Sequence, residues 1–99
     1  MPELYVHVRW PDGRTQRCYS PSTVVEDHLT AGARYEVADF VARSRAALGE
    51  ASERVRAKYG FACTAAAEQL ARIEESAAAY PPGAQMTVES LVNPDGSPR

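Results

Sequence analysis

Three side chains that could take part in catalysis lie close together near the start of the chain. Residues 9–29, RWPDGRTQRCYSPSTVVEDHL, contain Cys18, with Arg17 beside it and His28 ten positions further on. A cysteine becomes a nucleophile when a nearby cation or histidine lowers the pKa of its thiol and the sulfur is exposed. Cys18 is therefore the candidate catalytic residue, and the elements around it decide whether it can react.

The segment that carries Cys18 is predicted to be a β-hairpin. Residues 4–10, LYVHVRW, alternate apolar and polar side chains, as a half-buried strand does. Residues 11–13, PDG, are typical of a type I turn with a bulged glycine, which leads into RTQRCY and puts Val6 opposite Cys18 on the apolar face. A two-residue Asp-Gly loop would instead put Cys18 opposite His7. We favour the first register because proline fits poorly in a paired strand position.

The preferred register makes a packed, unreactive thiol the favoured interpretation of Cys18. Arg17 points to the opposite face of the strand, and nothing in the sequence brings His28 to the sulfur. Cys63 heads an apolar helical stripe and is interpreted as structural. A metal site would need His7, Cys18, His28 and Cys63 to converge, whereas the turn separates His7 from Cys18 and the spacing does not resemble a zinc motif. We therefore expect no metal and no cofactor.

The outward face of the hairpin carries the candidate binding residues. The favoured register sets Tyr5 opposite Tyr19, His7 opposite Arg17, and Arg9 opposite Thr15. Tyrosine and arginine are residue types that anchor protein interfaces. We therefore predict a binding surface made of Tyr5, His7, Arg9, Arg17 and Tyr19. The equally weighted alternative is ordinary cross-strand pairing on a solvent-exposed face of the sheet. The same face could also meet its copy in a homodimer.

Two helices are predicted in the middle of the chain. Residues 23–26 have the T-x-x-E form of a capping box, which predicts a short helix, VVEDHLTA, that ends at Gly32. Apolar residues at three- and four-residue steps then predict a longer helix from Val37 to Tyr59, ended by Gly60.

The C-terminal part completes the predicted fold. A third helix covers roughly residues 63–79 and is stopped by PPG at 81–83, and MTVESLV at 86–92 reads as a last strand beside the first. The expected fold is α+β with two layers: a three-stranded, mainly antiparallel sheet of order 2-1-3, and one short and two longer helices on one face. Residues 1–93 are expected to form a single domain, with a flexible tail at 94–99.

Composition narrows the functional classes. A net charge of −2 over 99 residues argues against a nucleic-acid binder, which needs a basic excess. The longest uncharged run, SAAAYPPGAQMTV, is interrupted by two prolines and a glycine, so we expect no membrane association. Two cysteines 45 positions apart are not a disulfide framework, which suggests a cytoplasmic protein with reduced thiols.

Several blocks of the sequence are shared with a known family. RWPDG, QRCYSPS, VVEDHLTAG, YEVADFVARS and ASERVRAKYGFAC resemble a small bacterial family of nitrogen starvation response proteins, over about residues 2–80. The resemblance implies a gene cluster that contains a nitrilase and a role in nitrogen limitation, and it transfers no catalytic residue. We therefore expect a cytosolic, non-enzymatic accessory or regulatory protein that binds a protein from the same cluster, or itself. The alternative is a small cysteine-dependent enzyme or ligand-binding protein that uses Cys18.

Overall fold

The chain folds into a sheet covered on one side by helices, as seen in a computed structural model that describes residues 3–60 and 64–99. The four strands are antiparallel and lie in the order β2-β1-β4-β3. In chain order the elements are β1 (Leu4–Arg9), β2 (Thr15–Ser20), a 3₁₀ helix (Thr23–Asp27), β3 (Arg34–Glu36), α1 (Val37–Tyr59), α2 (Thr64–Ala77) and β4 (Gln85–Val92). The α+β class is confirmed.

The number of strands differs from the prediction. The expected order 2-1-3 is present as β2-β1-β4, but β3 adds a fourth strand at the edge, so the three-stranded sheet was wrong by one strand. β3 has only three residues, and it is extended because it pairs with β4, about fifty residues away, with Tyr35 opposite Met86. A segment this short has no periodicity of its own to reveal it.

The turn of the hairpin has the predicted geometry. Gly13 adopts a φ of 90° and donates its N–H to the Trp10 carbonyl at 2.9 Å, while the Trp10 N–H donates to the Arg14 carbonyl at 2.8 Å. The Asp12 carboxylate accepts the Arg14 N–H at 3.0 Å, and this bond lowers the pKa of Asp12. The preferred register is therefore confirmed, and the alternative with a two-residue loop is wrong.

The short helix is shorter than predicted and begins at another cap. It is a 3₁₀ helix over Thr23–Asp27, capped by Ser22, whose hydroxyl accepts the Val24 N–H at 3.3 Å. Ser22 is held in place because its carbonyl accepts the Ser20 hydroxyl at 2.6 Å. The predicted cap at Thr23 and the extension toward Gly32 are thus wrong, because the buried serine one residue earlier takes the capping position.

The two long helices agree with the prediction more closely. α1 has the predicted bounds and ends at Gly60, which has a φ of 80°. Its first two N–H groups donate to the carbonyls of Ala84 and Pro82 at 2.9 and 3.0 Å, so the PPG loop serves as its N-terminal cap. α2 ends at Ala77, two residues before the predicted end.

Trp10 occupies the centre of the packing between the two layers. Its ring stacks on Tyr80 at 5.5 Å with an interplanar angle of 11°, and it meets Phe40 edge-on at 5.7 Å. The indole N–H donates to Gln16 Oε1 at 3.0 Å, and the Ser76 hydroxyl donates to the same oxygen at 2.8 Å. Trp10 thus ties the hairpin to α1 through Phe40, and Gln16 ties it to α2 through Ser76.

The last residues fold back along β4. Pro98 forms a bridge with Val92, and the Arg99 N–H donates to the Leu91 carbonyl at 3.2 Å. The Arg99 side chain pairs with the Glu26 carboxylate of the 3₁₀ helix. The expectation that residues 94–99 are flexible stays a prediction.

Replacing Gly13 by alanine tests the turn. A Cβ at this position meets no atom within 4 Å, so only the positive φ opposes it. We expect Gly13→Ala to lower the free energy of unfolding by about 1–2 kcal/mol, measured by urea denaturation. Gly49→Ala, within α1 and with equal space, is the matched control and should raise it by up to about 1 kcal/mol. Equal urea midpoints for Gly13→Ala and the parent protein would contradict the role of the turn.

Candidate functional site

The hairpin presents its predicted residues together on the face of the sheet opposite to the helices. The register sets Tyr5 opposite Tyr19 and His7 opposite Arg17, with Arg9 next along the strand. Their neighbours in β1, Val6 and Val8 among them, are buried in the core, whereas all five predicted binding residues are half-buried or exposed. We call this surface, made of Tyr5, His7, Arg9, Arg17 and Tyr19, the outer hairpin face. The placement is as predicted, and its use as a binding surface stays a prediction.

The aromatic end of the outer hairpin face is fixed by three contacts. The rings of Tyr5 and Tyr19 meet edge-on, with centroids 5.7 Å apart. The Tyr19 hydroxyl donates to Glu3 Oε2 at 2.6 Å, and the Arg17 guanidinium lies 4.5 Å from the centre of the Tyr5 ring. Stacking on an aromatic ring leaves the N–H groups of a guanidinium at its rim free to donate. Arg17 is therefore held in position without a carboxylate partner among the residues that the structure describes.

The polar end of the face contains an ion pair. Arg9 donates from Nε to Glu89 Oε2 at 3.0 Å and from Nη1 to the Gly13 carbonyl at 3.2 Å. Glu89 is the extra residue of a β-bulge, since β4 pairs Val88 with Val8 and then Ser90 with His7. Its neighbour Val88 is buried in the core, and the Glu89 carboxylate lies on the outer face.

A depression separates the two ends of the face. Its volume is about 300 Å³, and it is lined by His7, Thr15, Gln16, Arg17 and Glu89. The His7 Nε2 atom is enclosed and has no hydrogen-bond partner within residues 3–60 and 64–99. The depression thus combines the guanidinium of Arg17, the imidazole ring of His7 and the carboxylate of Glu89.

Cys18 lies on the opposite side of the hairpin, inside the core. It is 3% exposed, and burial raises the pKa of its thiol from an ordinary value of 9.0 to about 12. The cavity beside it has a volume of about 10 Å³, which is too small for more than one water molecule. His28 contacts Glu50 at 3.0 Å rather than the sulfur. Among the described residues, these contacts provide neither an activating base beside Cys18 nor room for a substrate.

The remaining candidates from the sequence are Cys63 and a metal site. Cys63 lies outside the described residues. Within the described ranges, no group of three or more histidine, cysteine, aspartate or glutamate side chains could hold a metal ion.

Two residues that position the face were not identified from the sequence. Glu89 was missed because its ion pair with Arg9 joins residues 80 positions apart in the chain and depends on the pairing of β4 with β1. Gln69 was missed because it is a polar side chain on the buried side of α2. No local signal in the sequence marks either position.

Gln69 protects the free edge of β2. Its Oε1 atom accepts the backbone N–H of Tyr19 at 3.1 Å, and the side chain is 9% exposed. The amide group thus replaces the neighbouring strand that β2 lacks on this side. The same bond fixes the backbone that carries Tyr19.

We expect Gln69→Leu to leave the Tyr19 N–H unpaired. The free energy of unfolding should fall by about 1–3 kcal/mol, the cost of a buried polar group that loses its partner. Hydrogen exchange of the Tyr19 amide should accelerate more than that of the Cys18 amide, because Cys18 pairs with Val6 inside the sheet. Unchanged protection at Tyr19 would show that Gln69 does not cover the edge.

Alkylation tests the burial of Cys18. With the second thiol removed by Cys63→Ser, iodoacetamide should label the folded protein roughly a thousandfold more slowly near pH 8 than the urea-unfolded protein, because a pKa raised by three units reduces the thiolate in proportion. The rate should keep rising with pH beyond 9 in the folded state. A plateau near pH 8.5 would instead indicate an accessible thiol.

Comparisons with known proteins agree with the resemblance noted in the sequence. Residues 5–91 match the family model described as nitrogen starvation-induced protein NitG, which covers most of the chain. No curated protein and no solved structure matches the sequence. In the described part of the chain, neither helix has the length and apolar character needed to cross a membrane.

Proposed function

We propose that this chain, which belongs to the family of nitrogen starvation-induced protein NitG, is a non-enzymatic accessory protein that binds another protein through its outer hairpin face. Its partner is a protein encoded in the same gene cluster, the nitrilase-containing cluster that the sequence resemblance implies. The observation that carries the proposal is the face itself, in which aromatic and basic side chains are held together on the side of the sheet that the helices leave open.

The residues of the face support a protein partner. Tyr5, Tyr19 and Arg17 are fixed by contacts with one another, so little conformational entropy is lost when a partner covers them. Such preorganised aromatic and arginine groups dominate the energy of protein interfaces. The arrangement of these side chains therefore suits an interface with a second protein.

The same contacts argue against a single-stranded nucleic acid. Bases bind to sheet surfaces by stacking on exposed aromatic rings. Arg17 covers one side of the Tyr5 ring, and Tyr19 meets that ring edge-on, so the pair does not offer two parallel open faces. The net charge of −2 argues in the same direction.

The interior position of Cys18 argues against the cysteine-dependent alternative. A nucleophile needs a thiolate at working pH, a base and access for the substrate. Cys18 has a pKa raised to about 12 and lies beside a cavity of about 10 Å³. We further propose that the protein acts in the cytoplasm, where a thiol such as Cys18 stays reduced.

A tagged pull-down from nitrogen-starved cells tests the proposal. The double variant Tyr19→Ala/Arg17→Ala should lose the protein that the parent chain recovers, by at least about tenfold, because it removes two anchors. Tyr59→Ala/Arg56→Ala removes the same residue types from the last turn of α1 and should recover it unchanged. Circular dichroism should first establish that both variants fold.

Two outcomes of the pull-down would contradict the proposal. Recovery of the same cluster-encoded protein by the parent and by the Tyr19/Arg17 variant would refute the proposed interface. If the parent chain recovers only further copies of itself, sedimentation would measure a dimer that the same variant dissociates, and the proposed partner would be wrong.

A further inference from the structure

We infer that the outer hairpin face recognises an acidic segment of its protein partner, and that one carboxylate of this segment occupies the depression between Arg17 and His7. The inference rests on the proposed function and specifies the chemistry of the partner. It follows from the unmatched groups in the depression and from the carboxylate that already lies at its rim.

Arg17 has the geometry of an anion-binding group that lacks its anion. The central carbon of its guanidinium lies 4.5 Å from the centre of the Tyr5 ring, which restricts the side chain, and no carboxylate of the described residues lies within ion-pair distance. A fixed guanidinium offers parallel N–H donors that match the two oxygens of a carboxylate. The entropic cost of arranging the donor is therefore met before the partner arrives.

His7 provides a second polar group at the same place. Its strand position is directly opposite Arg17, and its enclosed Nε2 atom has no hydrogen-bond partner in the described ranges. Enclosed polar atoms of folded proteins are normally paired. Because the Nε2 atom is enclosed, His7 contributes a wall of the depression, and Arg17 is the group that donates to an entering carboxylate. The volume of about 300 Å³ gives a side chain room to enter.

Glu89 shows which chemistry the surface accepts. It lines the same depression and already forms a 3.0 Å ion pair with Arg9, the other arginine of the outer hairpin face. The Glu89 carboxylate thus pairs with the guanidinium of Arg9, and the guanidinium of Arg17 is left without a carboxylate among the described residues. One carboxylate at the rim also favours a singly charged carboxylate over a phosphate group, because like charges repel. Glu89 should accordingly compete weakly with the partner for this surface.

The inference predicts opposite effects for two substitutions that each remove one charge. The probe is an acetylated, amidated peptide of sequence Glu-Ala-Glu-Ala-Glu, with the glutamine analogue and inorganic phosphate as comparisons. NMR titration should show saturable shifts at the Arg17 Nε–H and at His7 with the glutamate peptide alone. Arg17→Gln should weaken this binding by roughly two- to fivefold, the upper part of the range of exposed ion pairs, and Glu89→Gln should strengthen it by a similar factor.

A matched control tests whether the effect depends on where the positive charge lies or only on the net charge of the protein. Arg72→Gln removes one exposed arginine from α2, on the helical side, and should leave the affinity for the glutamate peptide unchanged. Equal binding of the glutamate and glutamine peptides, stronger shifts with phosphate, or no gain in Glu89→Gln would each overturn the inference.

The pull-down separates a failure of this inference from a failure of the proposed function. If Tyr19→Ala/Arg17→Ala loses the partner, but Arg17→Gln alone and a change from about 50 to about 300 mM salt have no effect, the interface stands and the acidic segment is refuted. If the double variant retains the partner while peptide binding still needs Arg17, the carboxylate site stands and the proposed interface is refuted.

Discussion

The hydrogen bonds of the hairpin turn determine which side chains this protein hides and which it displays. Gly13 and Trp10 close the turn, and every residue of β1 and β2 takes its face from that closure. A shift by one residue would exchange the two faces, because side chains alternate along a strand. Cys18 would then lie opposite His7 instead of Val6, and the outward side chains of β2 would lie beside the buried side chains of β1. One turn therefore controls both the core and the outer hairpin face.

The alternation of side chains along β2 separates a thiol and a guanidinium that are neighbours in the sequence. Cys18 and Arg17 are neighbours in the chain, yet one lies in the apolar core and the other stacks on Tyr5 at the surface. The separation raises the pKa of the thiol through burial and leaves the guanidinium available. Adjacent reactive residue types are therefore not a reactive pair when they occupy a strand.

The features that could be predicted from the sequence are those with local causes. The alternation of β1, the turn at 11–13 and the glycine at the end of α1 each act within a few residues, and each prediction was confirmed. β3, the bulge at Glu89 and the buried side chain of Gln69 depend on partners far along the chain. For the outer hairpin face, the pairing was predictable, whereas the carboxylate that lines its depression was not.

The protected edges of the sheet have a consequence for how the molecule can associate. Gln69 covers part of β2, the chain end lies along β4 beyond the short strand β3, and β3 itself carries Arg34 and Glu36. Extended segments from other chains usually join a protein by adding a strand to such an edge. Part of each edge is therefore already covered, which disfavours linear polymerisation by strand addition at these positions. Association across the surface of the strands, as proposed for the outer hairpin face, would leave both edges as they are.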